Sequence, residues 1–336
     1  MENSPSSAEE QPYDRVKAFL RNFRRTLKTS SFWIDGDQIF RFPSLSKDDW
    51  RKINYHVCVF YPIDEPDPYR QLRFSYQTST SILTIRFQYS DLRQGMIEFL
   101  YNRFMLATGW PYMKIGRYQH RDVYHGEAAG SFIGADLLIR ENYPLYQNEL
   151  NKQIKMAIHV GCSDTYDELL ENVRPWLTGF QPKPVVYVML VKITEEPEYH
   201  CPLGDISDEE FERRGLKTAD AIFAQDFVKE GKYGPVSYQG DRWTGEIKEI
   251  FWEIWKLNPE TREPELVSGR EFIIPEGNPQ LRLHDFLSPS YASEQLSPDW
   301  EFYRTGLRFQ IVDLAQRRYR VWQILREKKK MGATAE

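Results

Sequence analysis

Apolar positions along the chain fall into runs whose period changes several times, and the changes mark out the elements. From Tyr13, residues Val16, Phe19, Leu20, Phe23 and Leu27 recur at helical spacing, while Arg21, Arg24, Arg25 and Lys28 fill the rest of the segment. Strand-like runs follow at Phe32–Phe42, broken by the turn pair Asp35-Gly36, then at Tyr55–Ile63, Leu72–Tyr76 and Ser81–Gln88. These predict a β-rich N-terminal portion. Ser90 or Asp91 caps a helix whose stripe is Leu92, Met96, Phe99, Leu100 and Phe104, ending near Gly109. A loop carrying His120 and His125 leads to a strand at Phe132–Arg140, interrupted by one carboxylate, Asp136, and then to a strand at Lys155–Val160 that ends in Gly161. Thr165 and Glu168 have capping-box spacing ahead of a helix that turns Tyr166, Leu169, Leu170, Val173 and Leu177 inward. The near-continuous apolar run Pro184–Thr194 predicts a strand covered on both faces.

Beyond Glu195 the pattern is an acidic helix at Ser207–Arg214, aromatic strands at Glu246–Leu257 and Glu265–Ile274, and a terminal helix at Pro298–Lys330. That helix carries Leu307, Ile311, Leu314, Val321, Trp322 and Leu325 and ends in Arg326, Lys328, Lys329 and Lys330. The expected organisation is a disordered tail at 1–12, a helix and β-rich segment at 13–73, a mixed α/β core at 74–195, and a C-terminal extension at 196–336.

Composition narrows the function classes. With 41% apolar and 15% aromatic content over 336 residues the chain can bury a sizeable core. Its formal charge of −5, from 44 basic and 49 acidic residues, leaves no global positive field to hold a polyanion, so nucleic-acid binding would need a local basic patch. Cys58, Cys162 and Cys201 fit neither a disulfide framework nor a CxxC zinc site, which points to a reducing compartment. No signal-peptide pattern or membrane-length apolar run occurs. The expectation is a nuclear or cytoplasmic protein, not secreted and without a membrane partner.

Between Phe74 and Ile193 the order of pieces resembles the fungal restriction-endonuclease-like proteins of the PD-(D/E)XK nuclease superfamily. Phe74-Ser75-Tyr76 and Ile82–Arg86 resemble that family's paired strands, and Leu92–Glu98 its helix. Ala135-Asp136 stands where Pro-Asp is usual, and Ile158–Tyr166 resembles its Val-Glu-Val-Gly strand and turn. Val173–Leu177 and Val185–Ile193 resemble the Trp-containing helix end and the last core strand. The resemblance implies an α+β mixed-sheet, restriction-endonuclease-like core. It also implies phosphodiester hydrolysis by metal-bound water, with three carboxylates and a lysine converging at two strand ends.

Carried over position by position, the site is depleted. Asp136 matches the metal-binding Asp, Gln94 stands at the helix Glu, His159 at the strand Glu, and Gly161 in the lysine slot. Arg174 or Lys155 are conceivable substitutes for that lysine. A metal, if held, would be Mg²⁺ or Mn²⁺ on Asp136 and His159, although a histidine nitrogen suits transition metals better than Mg²⁺. Otherwise no cofactor is expected. Each residue also has an ordinary role open to it: a strand-end carboxylate, a locally bonded histidine, a polar helix residue.

Trp110, Lys114, Arg117 and Arg121 form the best local candidate for a surface facing DNA or RNA, with aromatic stacking and phosphate contacts combined. Three readings follow: a catalytically inactive nuclease-like nucleic-acid-binding or scaffold module, a metal-dependent endonuclease with an altered Asp136/His159 site, and a protein adaptor docking through its C-terminal helix.

Overall fold

The computed structural model describes residues 11–29, 38–60, 72–87, 90–108, 113–123, 128–141, 154–180, 185–285, 287 and 295–333. In chain order, α1 (Pro12–Thr29), β1 (Gln38–Phe42), α2 (Lys47–Phe60), β2 (Leu72–Gln77) and β3 (Ile82–Phe87) form an N-terminal unit. Its small core joins Val16 and Leu20 of α1 and Trp50 and Ile53 of α2 to Phe74, Tyr76, Leu83 and Ile85. The segment predicted as a strand at Tyr55–Ile63 belongs to α2 as far as Phe60. The helix is set by its start, where Ser46 Oγ accepts from Asp49 N (3.0 Å) and donates to the Asp49 carboxylate (2.7 Å). The N-terminal portion is therefore more helical than β among its described residues.

Next come α3 (Asp91–Thr108), β4 (Met113–Asp122), β5 (Phe132–Glu141), β6 (Ile154–Gly161), α4 (Tyr166–Leu170), α5 (Val173–Thr178) and β7 (Tyr187–Glu196). The remainder is α6 (Asp208–Arg213), β8 (Val228–Lys229), β9 (Val236–Tyr238), β10 (Asp241–Thr244), β11 (Glu246–Leu257), β12 (Pro264–Leu266), β13 (Glu271–Ile274), β14 (Leu281–Arg282), β15 (Gln295–Leu296) and α7 (Trp300–Ala333).

Among the described residues ten strands make one mixed sheet, running β1-β3-β2-β5-β6-β7-β11-β12, with β4 added on β5 and β13 on β11. Pairing within it is antiparallel except for β6 with β7. Side chains alternate across it. Met156, Ile158 and Val160 of β6 and Met189, Val191 and Ile193 of β7 meet α3 and α7 on one face. Ala157, Val188 and Leu190 meet Leu169, Val173, Trp176 and Leu177 of α4 and α5 on the other. The expectation of a strand covered on both faces at 184–194 is met by β7.

The expected boundary at 195/196 runs through continuous structure. β11 pairs with β7 from Glu246↔Glu196 to Trp255↔Val188, and α7 contributes Leu307, Ile311, Leu314, Tyr319 and Trp322 to the same core as α3. The apolar row of the terminal helix is thus core-facing as far as Trp322, and among the described side chains Phe302, Phe309 and Leu325 are the large apolar ones it leaves exposed.

Candidate functional site

β5 holds the central position. β4 pairs along one edge of it, from Asp122↔Phe132 to Met113↔Glu141. The other edge is shared: β2 meets it at Tyr76↔Phe132, and β6 meets it from Leu137↔Ile158 onward. Between those two contacts Gly134 faces a cleft of about 200 Å³ lined also by Arg41, Ser75, Gln77, Thr84, Arg86, Arg93, His159, Glu168 and Glu171, among others.

Asp136 and His159 lie just beyond the Leu137↔Ile158 pair, one on each strand, as the sequence led one to expect of neighbouring strands. Asp136 is fully buried. Its Oδ2 accepts the backbone N–H of Val160 (2.8 Å), which keeps the two strands joined where the ladder has stopped. Both of its oxygens accept from Nη2 of Arg93, at 3.2 and 3.1 Å. Arg93 is itself 5% exposed, so this is a buried ion pair. His159 is 5% exposed, with its ring 6.2 Å from that of Trp176 on α5.

Gln94 does not join them. One residue along a helix is a rotation of about 100°, and where Arg93 turns to Asp136, Gln94 turns to α7. It lines a separate polar pocket with Asp91, Glu98, Gln310, Asp313 and Arg317, and donates to Glu98 (2.8 Å). In that pocket burial pushes the Asp91 carboxyl above its ordinary range; the Arg317 guanidinium pulls it back only in part, and Asp313 adds to the rise.

The lysine slot is filled as well. A Cβ at Gly161 would lie 2.7 Å from Cδ1 of Leu169, a buried residue of α4, so α4 packs where a longer side chain would start. Lys192 lies beside Gly161 in the parallel β6/β7 register and donates to the carbonyls of Cys162 (2.7 Å) and Ile193 (3.2 Å). Arg174, conceived with Lys155 as a substitute for that lysine, forks onto Glu263 of the loop before β12.

These residues do not suit a hard divalent ion. Mg²⁺ or Mn²⁺ needs anionic oxygens that converge and are open to it, whereas the Asp136 carboxylate is enclosed by a guanidinium and a backbone amide. Among the described residues no group of three or more His, Cys, Asp or Glu side chains is arranged to hold a metal.

The segment expected as a basic, aromatic loop is mostly strand. β4 sets Lys114 opposite Arg140, Arg117 opposite Leu137 and Arg121 opposite Ile133. Trp110 and His125 lie outside the described residues, as do the side chains of Lys114, Arg117 and Arg121. Arg93 and Lys192 are the site residues that sequence reasoning passed over. The available signal was the same for both: a lone cation inside an apolar stripe or run.

Fold and site together define a mixed α/β protein of the α+β kind, with a mixed sheet, a C-terminal helix and a split-strand cleft over a buried Arg–Asp pair. The chain matches no family model, no curated protein and no solved structure. No helix among the described residues is long and apolar enough to cross a membrane.

Proposed function

We propose that this chain is a PD-(D/E)XK nuclease-like protein, of the fungal restriction-endonuclease-like kind, that does not cut nucleic acid and acts as a nucleic-acid-binding or scaffold module. The observation that carries the reading is the Arg93 guanidinium on Asp136. A metal ion would have to displace it and so break a buried ion pair, which is strongly unfavourable. Asp136 and His159 on adjacent strands, at the point where the strands part, support the nuclease-like ancestry; Gln94, turned toward α7, does not contribute to it. The altered Asp136/His159 enzyme using Mg²⁺ or Mn²⁺ is the less supported reading for the same reason.

Plasmid incubated with the protein and Mg²⁺ or Mn²⁺ is expected to remain uncut above background. Cleavage that disappears in Asp136→Ala would overturn the inactive reading. For binding, fluorescent single-stranded and duplex oligonucleotides are titrated across salt concentrations against the native chain and a Lys114→Ala/Arg117→Ala/Arg121→Ala variant. With a net charge of −5 the contacts are few, so affinity should be weak and the salt slope shallow, at about −0.9 per phosphate contact on duplex DNA. Equal affinity in both proteins removes β4 from the interface. Undetectable binding at low salt favours a protein partner, which on α7 would have to use Phe302, Phe309 and Leu325.

A further inference from the structure

The N-terminal unit has its own apolar core, and its attachment to the rest of the molecule is of two kinds. At one end is a seam. Thr78 N donates to Ser131 Oγ (3.0 Å), Thr78 Oγ1 to the carbonyl of Ala129 (3.3 Å), and the Trp50 ring lies 5.3 Å from that of Phe132 on β5. On the other side of the cleft the attachment is polar. Arg41 of β1 pairs with Glu168 and Arg86 of β3 pairs with Asp164, while Gln77 of β2, next to the seam residue Thr78, reaches Glu171 at 3.5 Å. All three acceptors belong to one short stretch, residues 164–171, made of the turn after β6 together with α4.

We propose that these bridges form an electrostatic latch, and that the N-terminal unit pivots on the Thr78/Ser131/Phe132 seam to open and close the cleft over Gly134 and His159. Two features favour a movable closure over a permanent weld. The bridging groups differ in exposure, from Asp164 at 2% to Arg41 at 50%, so the outer pairs are accessible to salt and water while the inner one keeps register. Moreover, among the described residues no apolar cluster spans this side of the cleft: the core of the N-terminal unit and the α4/α5 core are separate. Glu168 also accepts from Thr165 N (2.9 Å) in the capping box of α4, so the latch pulls on the cap that fixes the start of that helix. Opening thus loosens the cleft wall nearest His159 and leaves the β6/β7/β11 body intact.

The test is residue-resolved amide exchange on the full chain at two ionic strengths. The reporter is the Val160 amide, which points into the split and is held by Asp136. The Thr78 amide reports on the seam, and amides of β11 report on the body. Raising salt from about 0.05 M to about 0.5 M shortens the Debye length to a few Å, and exchange at Val160 should rise about tenfold while Thr78 and β11 hold steady. The variant Arg41→Gln/Gln77→Ala leaves the buried Asp164 paired and the α4 cap intact, so it should fold. In it, Val160 exchange should already be fast at low salt and respond less to added salt. A Val160 amide indifferent to salt in the native chain, or one that moves in step with β11, overturns the latch. So does a variant that exchanges like the native protein. Neither readout depends on nucleic-acid binding or on cleavage.

Discussion

Removing one member of the Arg93–Asp136 pair should be among the most damaging single changes available in this protein. In Arg93→Met the alkyl stem is retained and the guanidinium is lost, so Asp136, fully buried, loses its cationic partner while the Val160 amide still donates to it. Breaking a buried pair from one side costs about 3–5 kcal/mol because an uncompensated charge remains; the surviving amide bond places this site toward the lower end, at about 3 kcal/mol. Asp136→Asn in the same background removes that charge while keeping a carbonyl oxygen for Val160. The double variant should therefore recover about 2 kcal/mol of the loss, although Asp136→Asn alone is destabilising. Urea unfolding of the four proteins in the cycle, with the m-value checked for constancy, measures this directly. An Arg93→Met penalty below about 1 kcal/mol, or a double variant no better than Arg93→Met, would refute the assignment of Arg93 as the resident partner of Asp136.

Other changes follow from the same geometry. Gly161→Ala should destabilise by about 1–3 kcal/mol, because the new methyl meets buried Leu169; Gly161→Lys should for the same reason yield no cleavage in a plasmid assay, and a gain of activity would contradict the packing argument. Thr165→Ala should cost about 1 kcal/mol in thermal or urea melts, since the hydroxyl accepts from Glu168 N at 3.2 Å in the α4 cap. Asp91→Asn should change the pH profile of stability. Because the folded carboxyl titrates above its ordinary 3.8, the folded state holds the proton more tightly than the unfolded chain, and the stability this group contributes is lost as pH rises through that interval. Unfolding midpoints compared at about pH 3 and pH 7 should show the native chain losing ground relative to Asp91→Asn as pH rises; parallel profiles would contradict it.

How much was legible depended on whether the deciding force was local. α3 and β11 were readable because one stripe or one alternation decided each. The capping box at Thr165 and Glu168 was readable because its two contacts lie three residues apart. The aromatic and β-branched run Tyr55–Phe60 misled, since its intrinsic preference for a strand is overridden by the Ser46 cap and by Trp50 and Ile53 packing one helical turn apart in the small core. The expected loop at 110–121 misled in the opposite sense, since the pairing of β4 with a distant β5 is invisible in local pattern. At the site, Asp136 and His159 could be placed on neighbouring strands, but the choice between Arg93 and Gln94 is a helix rotation that only packing against β5 and α7 decides.

The contribution of α7 to the core bears on how the protein is made. The layer that α3 begins at Leu92 is completed by Trp300, Leu307, Ile311, Tyr319 and Trp322. On the ribosome, the face of β6 and β7 that meets α7 must therefore wait for nearly the whole chain to emerge, exposing Met189, Val191 and Ile193 meanwhile. The N-terminal unit, whose core closes within residues 16–85 apart from its contact with Phe132, can settle far earlier. Synthesis should thus produce a folded head trailing a sticky, half-covered sheet, the kind of intermediate that recruits chaperones and makes C-terminal truncations aggregate.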